Sequence, residues 1–306
     1  MKILVATKKP FSPVAIQQIR EITETAGFKL ALLEKYTDKS LLLDAVSDAD
    51  GLIVRSDKVT NDVLNAAGQL KIVVRAGAGY DNLDLQSCTA HNIVALNTPG
   101  QNANAVAELV FELLLYKIRG GFSGKTGSEL RSKTIGLHAF GNVGKYVADI
   151  ARGFGMDIYA YDPFVSKRVM KNNGAKQCAN VDDMYSRCQY ISLHMPLNDR
   201  TRKLIGYELL KKMPRHGVLV NTARKELIDE EGILKIFEER EDLSYLSDIE
   251  PDCKRIFKEK YNGRFIFTAK KMGAQTEEAN INACAAAARQ IVDYFTRGVE
   301  KYRLNK

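Results

Sequence analysis

Short apolar runs with no alternating polar face recur along this chain, separated by segments of helical spacing. Ile3-Leu4-Val5-Ala6 is the first, followed by Gly51-Leu52-Ile53-Val54, Ile72-Val73-Val74 and Ile93-Val94-Ala95. A strand without a polar face must be covered on both sides, and strands joined through helices run parallel. The pattern therefore predicts an α/β protein built from doubly wound parallel sheets. Pro13 to Ala26 has helical spacing, with Ser12 as its N-cap. Asn97-Thr98-Pro99-Gly100 reads as a turn, and an apolar helix follows from about Asn104 to Lys117. After the glycine-rich stretch 120–127 a second series begins near Thr134. Its strands are expected at Ile135–His138, Ile158–Ala160, Tyr190–Leu193 and Val218–Val220, and a last long helix from about Glu277 to Phe295.

A length of 306 residues suits two domains, and 45% hydrophobic with 27% charged residues is a globular balance that excludes disorder. No apolar run approaches the roughly 20 residues that span a bilayer. The N-terminal apolar run is ended by Lys8 and Lys9, too early for a signal peptide, so a cytoplasmic protein is expected. Cys88, Cys178, Cys188, Cys253 and Cys284 are scattered, with no Cys-x-x-Cys pair and no zinc spacing. Free, buried thiols and no metal are expected. The net charge of +8 is spread among acidic residues rather than gathered in a stripe. That argues against nucleic acid and leaves a solvated surface or a cleft that collects anionic ligands.

The second series opens with a strand and then Gly136-Leu137-His138-Ala139-Phe140-Gly141-Asn142-Val143-Gly144. This is close to the dinucleotide fingerprint G-x-G-x-x-G, with Ala139 in the first glycine's place. Gly141 would let the backbone approach a pyrophosphate, and Gly144 would let helix and strand pack closely. Alanine tolerates positive φ poorly, so a turn of different conformation is expected there. The next strand ends at Asp162, about 20 residues on, where a carboxylate binds a ribose diol and repels a 2′-phosphate. The cofactor expected is NAD.

The run Val74-Arg75-Ala76-Gly77-Ala78-Gly79-Tyr80-Asp81-Asn82-Leu83-Asp84 resembles a signature of the D-2-hydroxyacid dehydrogenases, and among them of phosphoglycerate dehydrogenases. Asn97-Thr98-Pro99-Gly100, Leu193-His194-Met195-Pro196-Leu197 and Val220-Asn221-Thr222-Ala223-Arg224 extend the resemblance over nearly the whole chain. It implies a Rossmann-type cofactor domain, 99–276, inserted into a flavodoxin-like substrate domain, 1–98 and 277–306. It implies a homodimer, with the helix after Pro99 as hinge and dimer element. The chain stops soon after the last helix, so a C-terminal regulatory domain is not expected.

The resemblance also implies the site. Phe140, Gly141, Asn142, Val143, Gly144, Asp162, His194, Pro196, Thr222 and Ala223 would hold NAD. Arg224 would bind the substrate carboxylate and polarise its carbonyl, with the amides of Ala76, Gly77, Ala78 and Gly79 as the other half of that clamp. The family's proton acceptor is a histidine in a Thr-Pro-His-Ile-Gly-like motif; aligning on Gly273 puts Lys271 there. Glu250, by its pairing with Pro251, takes the place of the acidic residue that steadies the base. Arg55, Lys58 and Arg75 would meet a phosphate. The implied reaction is oxidation of a small phosphorylated 2-hydroxy acid, 3-phosphoglycerate, by NAD, the entry to serine synthesis. Reduction of glyoxylate or hydroxypyruvate is the alternative within the family, and an NAD-sensing corepressor-like role the alternative outside catalysis.

Overall fold

The computed structural model describes Met1–Asn305 and divides into two compact units, each with one wholly parallel sheet. The first comprises Met1–Asn102 and the chain from Gln275 onward; the second is the continuous stretch Ala103–Ala274 between them. The divisions fall a few residues from 98/99 and 276/277.

In the first unit the strands are β1 (Lys2–Thr7), β2 (Lys29–Glu34), β3 (Gly51–Val54), β4 (Ile72–Arg75) and β5 (Val94–Asn97), in the order β2-β1-β3-β4-β5. One sheet face packs Leu4, Leu52 and Val73, and the other Ile3, Ile53, Ile72 and Val74, as non-alternating strands require. The second face is covered by the helix Glu277–Arg297 through Ala283, Cys284, Ala287, Ala288 and Ile291. Thr276 caps this helix by accepting from the Ala279 amide at 3.1 Å. At the other end of the unit's sequence, Ser12 caps the helix Pro13–Thr25 in the same way.

The second unit has β6 (Thr134–His138), β7 (Asp157–Tyr161), β8 (Lys176–Gln177), β9 (Tyr190–Leu193), β10 (Val218–Asn221), β11 (Ser244–Ser247) and β12 (Phe265–Phe267). Their order, β12-β11-β10-β9-β6-β7-β8, is that of a Rossmann sheet with one strand added. The apolar helix Ala103–Ile118 packs on one face of it, burying Val110, Phe111 and Leu114. Strand order reverses between β1 and β3 in one sheet and between β6 and β9 in the other, and ligands bind beyond the carboxyl ends of strands at such points. Among the described residues no helix is long and apolar enough to cross a membrane, no acidic, His or Cys cluster could hold a metal, and all five cysteines are buried and free.

Candidate active site

Beyond β6 the chain turns through Ala139, Phe140 and Gly141 into the helix Asn142–Gly153. The turn keeps a glycine-like backbone: Ala139 sits at φ 78°, contrary to the expected change of conformation. Left-handed backbone costs a non-glycine residue about 1–2 kcal/mol. It is held there because the Ala139 amide donates to Tyr161 O at 2.9 Å and the Phe140 amide to Asp162 Oδ2 at 2.8 Å. A Cβ on Gly144 would lie 2.7 Å from Ala139 O, so helix and turn meet only because this residue has none. A Cβ on Gly141 would meet nothing within 4 Å: the space over this residue is open. No side chain caps the helix, so its first amides and dipole face that space. Each oxygen of Asp162 accepts one amide, from Phe140 or Phe164, and keeps a lone pair for a further donor.

Phe140 is the exception among the expected cofactor contacts. Its ring is fully buried in the core and its amide is taken by Asp162, so neither faces the open space. Asn142 and Pro196 are exposed, Val143 half-buried. His194 continues β9, its amide donating to His138 O at 2.9 Å. Burial pushes the His138 imidazole down to about 4; burial, with His138 beside it, pushes His194 down to about 3. Both rings are therefore neutral at pH 7. Two buried polar atoms at these strand ends, His194 Nε2 and Thr222 Oγ1, have no hydrogen-bond partner among the described residues. Orphans of this kind are rare in folded proteins and fit a polar ligand that completes them. The open glycine, the uncapped helix, the strand-end carboxylate and the orphaned atoms together suit a dinucleotide.

Beyond β10, Thr222, Ala223 and Arg224 lie beside Lys271. Lys271 Nζ donates to Thr222 O at 3.0 Å, to Ala223 O at 2.9 Å and to the Asp248 carboxylate at 3.0 and 3.2 Å. Asp248 directly follows β11, is fully buried, and also accepts from the Gly273 amide at 3.1 Å. The Lys271 side chain is 40% exposed, yet its Nζ is turned inward among these acceptors; desolvation there lowers its pKa from the ordinary 10.5, Asp248 opposes the shift, and Arg224 adds to it. Arg224 is half-buried, with Nη1 on Ala223 O at 3.0 Å, and its own carbonyl accepts from Asn221 Nδ2 at 2.9 Å.

Glu250 requires a correction. Its carboxylate pairs with Lys254 and Lys258, on and beside the first turn of the helix Lys254–Lys260, and Lys254 lowers its pKa. The short Ile249-Glu250-Pro251 segment leads directly into that basic helix, so the nearest cations claim the side chain. Asp248 is the acid that steadies Lys271. Its place is not legible in the sequence, because Ser244-Tyr245-Leu246-Ser247, with a serine at each end, does not read as a strand. A carboxylate immediately beyond a parallel strand is the signal that could have found it.

In the first unit the segment after β3 is fixed by Asp57, 5% exposed, whose Oδ1 accepts from the Lys8 amide at 2.9 Å and from the Tyr36 hydroxyl at 2.6 Å. Arg55 directly follows β3, at the point where strand order reverses, and its Nη2 donates to Gln275 Oε1 at 3.1 Å. Arg75 Nε donates to Arg55 O at 2.9 Å. Lys58 is exposed and makes no ion pair among the described residues. Of the four expected clamp amides, two are already used: Ala76 donates to Val54 O at 2.8 Å and Gly77 to Arg75 O at 2.9 Å. Ala78 and Gly79 remain, in a loop held by Asn97 Nδ2 on Ala78 O at 2.6 Å and by the Thr98 amide on Gly77 O.

Residues 116–253 match the family described as D-isomer specific 2-hydroxyacid dehydrogenase, NAD binding domain. The solved structure of NAD+-bound 3-phosphoglycerate dehydrogenase from Entamoeba histolytica is 49% identical, covers 100% of this chain and 99% of its own, and superposes with a TM-score of 0.90. The chain belongs to the D-isomer specific 2-hydroxyacid dehydrogenases. Curated relatives of this dehydrogenase family include D-3-phosphoglycerate dehydrogenase of Methanocaldococcus jannaschii, 34% identical over 83% of this chain and 51% of the relative. Hydroxypyruvate reductase of Thermotoga maritima is 38% identical over 67% of this chain and 70% of its own length. The chain spans about half the length of the curated phosphoglycerate dehydrogenases it matches. The match to the family's NAD-binding domain falls within the unit Ala103–Ala274 and includes the open turn at Gly141.

Proposed function

We propose that this family member oxidises 3-phosphoglycerate to 3-phosphohydroxypyruvate with NAD, in the cytoplasm, as the first step of serine synthesis, and works as a homodimer. The observation that carries the reading is the Lys271–Asp248 pair beside Arg224. NAD supplies the acceptor for the hydride that leaves C2 of the substrate. Arg224 offers a planar fork to the substrate carboxylate and to the oxygen on C2. Lys271 takes the hydroxyl proton. Once neutral, its amine keeps two N–H donors for the acceptors around it and one lone pair for that proton. Asp248 holds the amine in place, and burial keeps the neutral form within reach.

The phosphate is assigned to the first unit, the substrate-binding one. Arg55 and Arg75 stand at the carboxyl ends of adjacent strands, with Lys58 exposed nearby in sequence. Asp162 favours NAD over NADP by accepting from the ribose hydroxyls and repelling a 2′-phosphate. Reduction of hydroxypyruvate is the second reading, favoured by the Thermotoga maritima relative. A spectrophotometric NADH assay over a panel of 2-hydroxy acids separates them. The proposal expects 3-phosphoglycerate to give a higher kcat/KM than D-glycerate, and a preference for the unphosphorylated acid would select the second reading.

A further inference from the structure

The cations of the first unit are accompanied by one neutral side chain that charge counting does not find. Gln275 Oε1 accepts from Arg55 Nη2 at 3.1 Å across 220 residues of sequence, and this is the side-chain hydrogen bond of Arg55 among the described residues. We propose that Gln275 is a positioning residue that aims the Arg55 guanidinium at the phosphate of the substrate; this rests on the 3-phosphoglycerate reading above.

Three features support it. First, the backbone of Arg55 is already fixed, by β3 on one side and by Arg75 Nε on its carbonyl, so only the long side chain remains to be oriented. Arg75 itself passes over Gly77, where a Cβ would come 1.6 Å from Nη1, a path open only because this residue has no side chain. The Arg55 side chain is instead met by a hydrogen-bond acceptor, Gln275 Oε1. Second, Gln275 is mounted rigidly. It immediately precedes Thr276, the N-cap of the 21-residue helix Glu277–Arg297, and Asn280 Nδ2 donates to Thr276 O at 2.7 Å. That helix is fastened to the sheet by its alanine face, and sites built on such elements hold their geometry better than loop sites. Third, the chemistry of an amide suits the task. It accepts one of the five guanidinium N–H groups and leaves the positive charge whole for an anion. A carboxylate at this position would form a bidentate ion pair and compete with the phosphate.

The test is steady-state kinetics of NADH formation with 3-phosphoglycerate and with D-glycerate, for wild type, Arg55→Ala, Gln275→Ala and Gln275→Glu. Gln275→Ala is expected to raise KM for 3-phosphoglycerate about tenfold, the loss typical of one hydrogen bond to a charged group, with kcat changed less than about twofold. Gln275→Glu is expected to be worse, about a hundredfold, because it captures the guanidinium. On D-glycerate both variants should lose less than about threefold, and unfolding temperatures should match wild type. Equal losses on the two acids would make Gln275 merely structural and overturn the proposal. So would an unchanged KM in both Gln275 variants while Arg55→Ala loses 3-phosphoglycerate selectively. If Arg55→Ala shows no selectivity, the assignment of the phosphate to Arg55 fails, and the role of Gln275 fails with it.

Discussion

The turn at Ala139–Gly144 and the segment from Asp248 to Gly273 lie in the same unit, yet different kinds of force set their geometry. The turn is fixed locally. Its direction follows from β6 running into an uncapped helix, and its tolerance from two glycines with different tasks, Gly144 for contact and Gly141 for open space. The second region is fixed at long range. Lys271 finds Asp248 across 23 residues and Thr222 across 49, and Glu250 is lost to two neighbouring lysines. Local geometry survives the exchange of one residue, as Ala139 shows by adopting the backbone of the glycine it replaces. A tertiary pairing depends on every nearby competitor, as Glu250 shows by pairing with the lysines of the helix that follows it.

Substitutions can break or sharpen this contrast. The largest effect is expected at Lys271. Replacing it with Ala should lower kcat by about 10²–10⁴, the usual contribution of a general base, while NAD binding measured by fluorescence stays near wild type. Arginine there should be nearly as damaging, since a guanidinium does not release its proton. Near-normal turnover by Lys271→Ala would remove the base assignment.

Next comes the glycine pair. Gly144→Ala forces a Cβ to within 2.7 Å of a backbone oxygen and should destabilise the domain by about 1–3 kcal/mol in urea unfolding. Gly141→Ala meets no protein atom and should leave unfolding unchanged while raising Kd for NAD. The same outcome for both variants would mean the two glycines share one task. Ala139→Gly should be smaller and of opposite sign, stabilising by up to about 1 kcal/mol as the left-handed strain is relieved. Glu250→Gln should be smallest of all, with kcat within about twofold of wild type, because its carboxylate pairs with Lys254 and Lys258 and not with Lys271.

The same contrast explains what could be read from the sequence. Strands buried on both faces, such as β3, β9 and β10, are legible because, Asn221 at the end of β10 apart, every residue in them is apolar or small. The edge strands are not. Lys29-Leu30-Ala31-Leu32-Leu33-Glu34 has neither alternation nor full burial, and as a string it suits a helix equally well. β8 has only two residues, and β12 three half-buried ones. Residues carried by one continuous motif have a position in the fold that the motif makes legible: Gly141, Gly144 and Asp162 at the turn, and Arg55 and Arg75 at strand ends. Residues defined by a partner far along the chain, Asp248 and Gln275, leave no local signal. Hydrogen bonding of the Ala76 amide to Val54 O is equally invisible, since it depends on register with β3.

The most direct test of the account is kcat for alcohol oxidation against pH in wild type, Asp248→Asn and Glu250→Gln. A base must be neutral to accept a proton, so the rate rises with pH through the pKa of Lys271, which burial holds below the ordinary lysine value of 10.5. The Asp248 carboxylate favours the ammonium and so raises that pKa; removing its charge must lower it. The account predicts that the rising limb moves to lower pH in Asp248→Asn and stays in place in Glu250→Gln. A limb unmoved by Asp248→Asn, or displaced by Glu250→Gln alone, would contradict it.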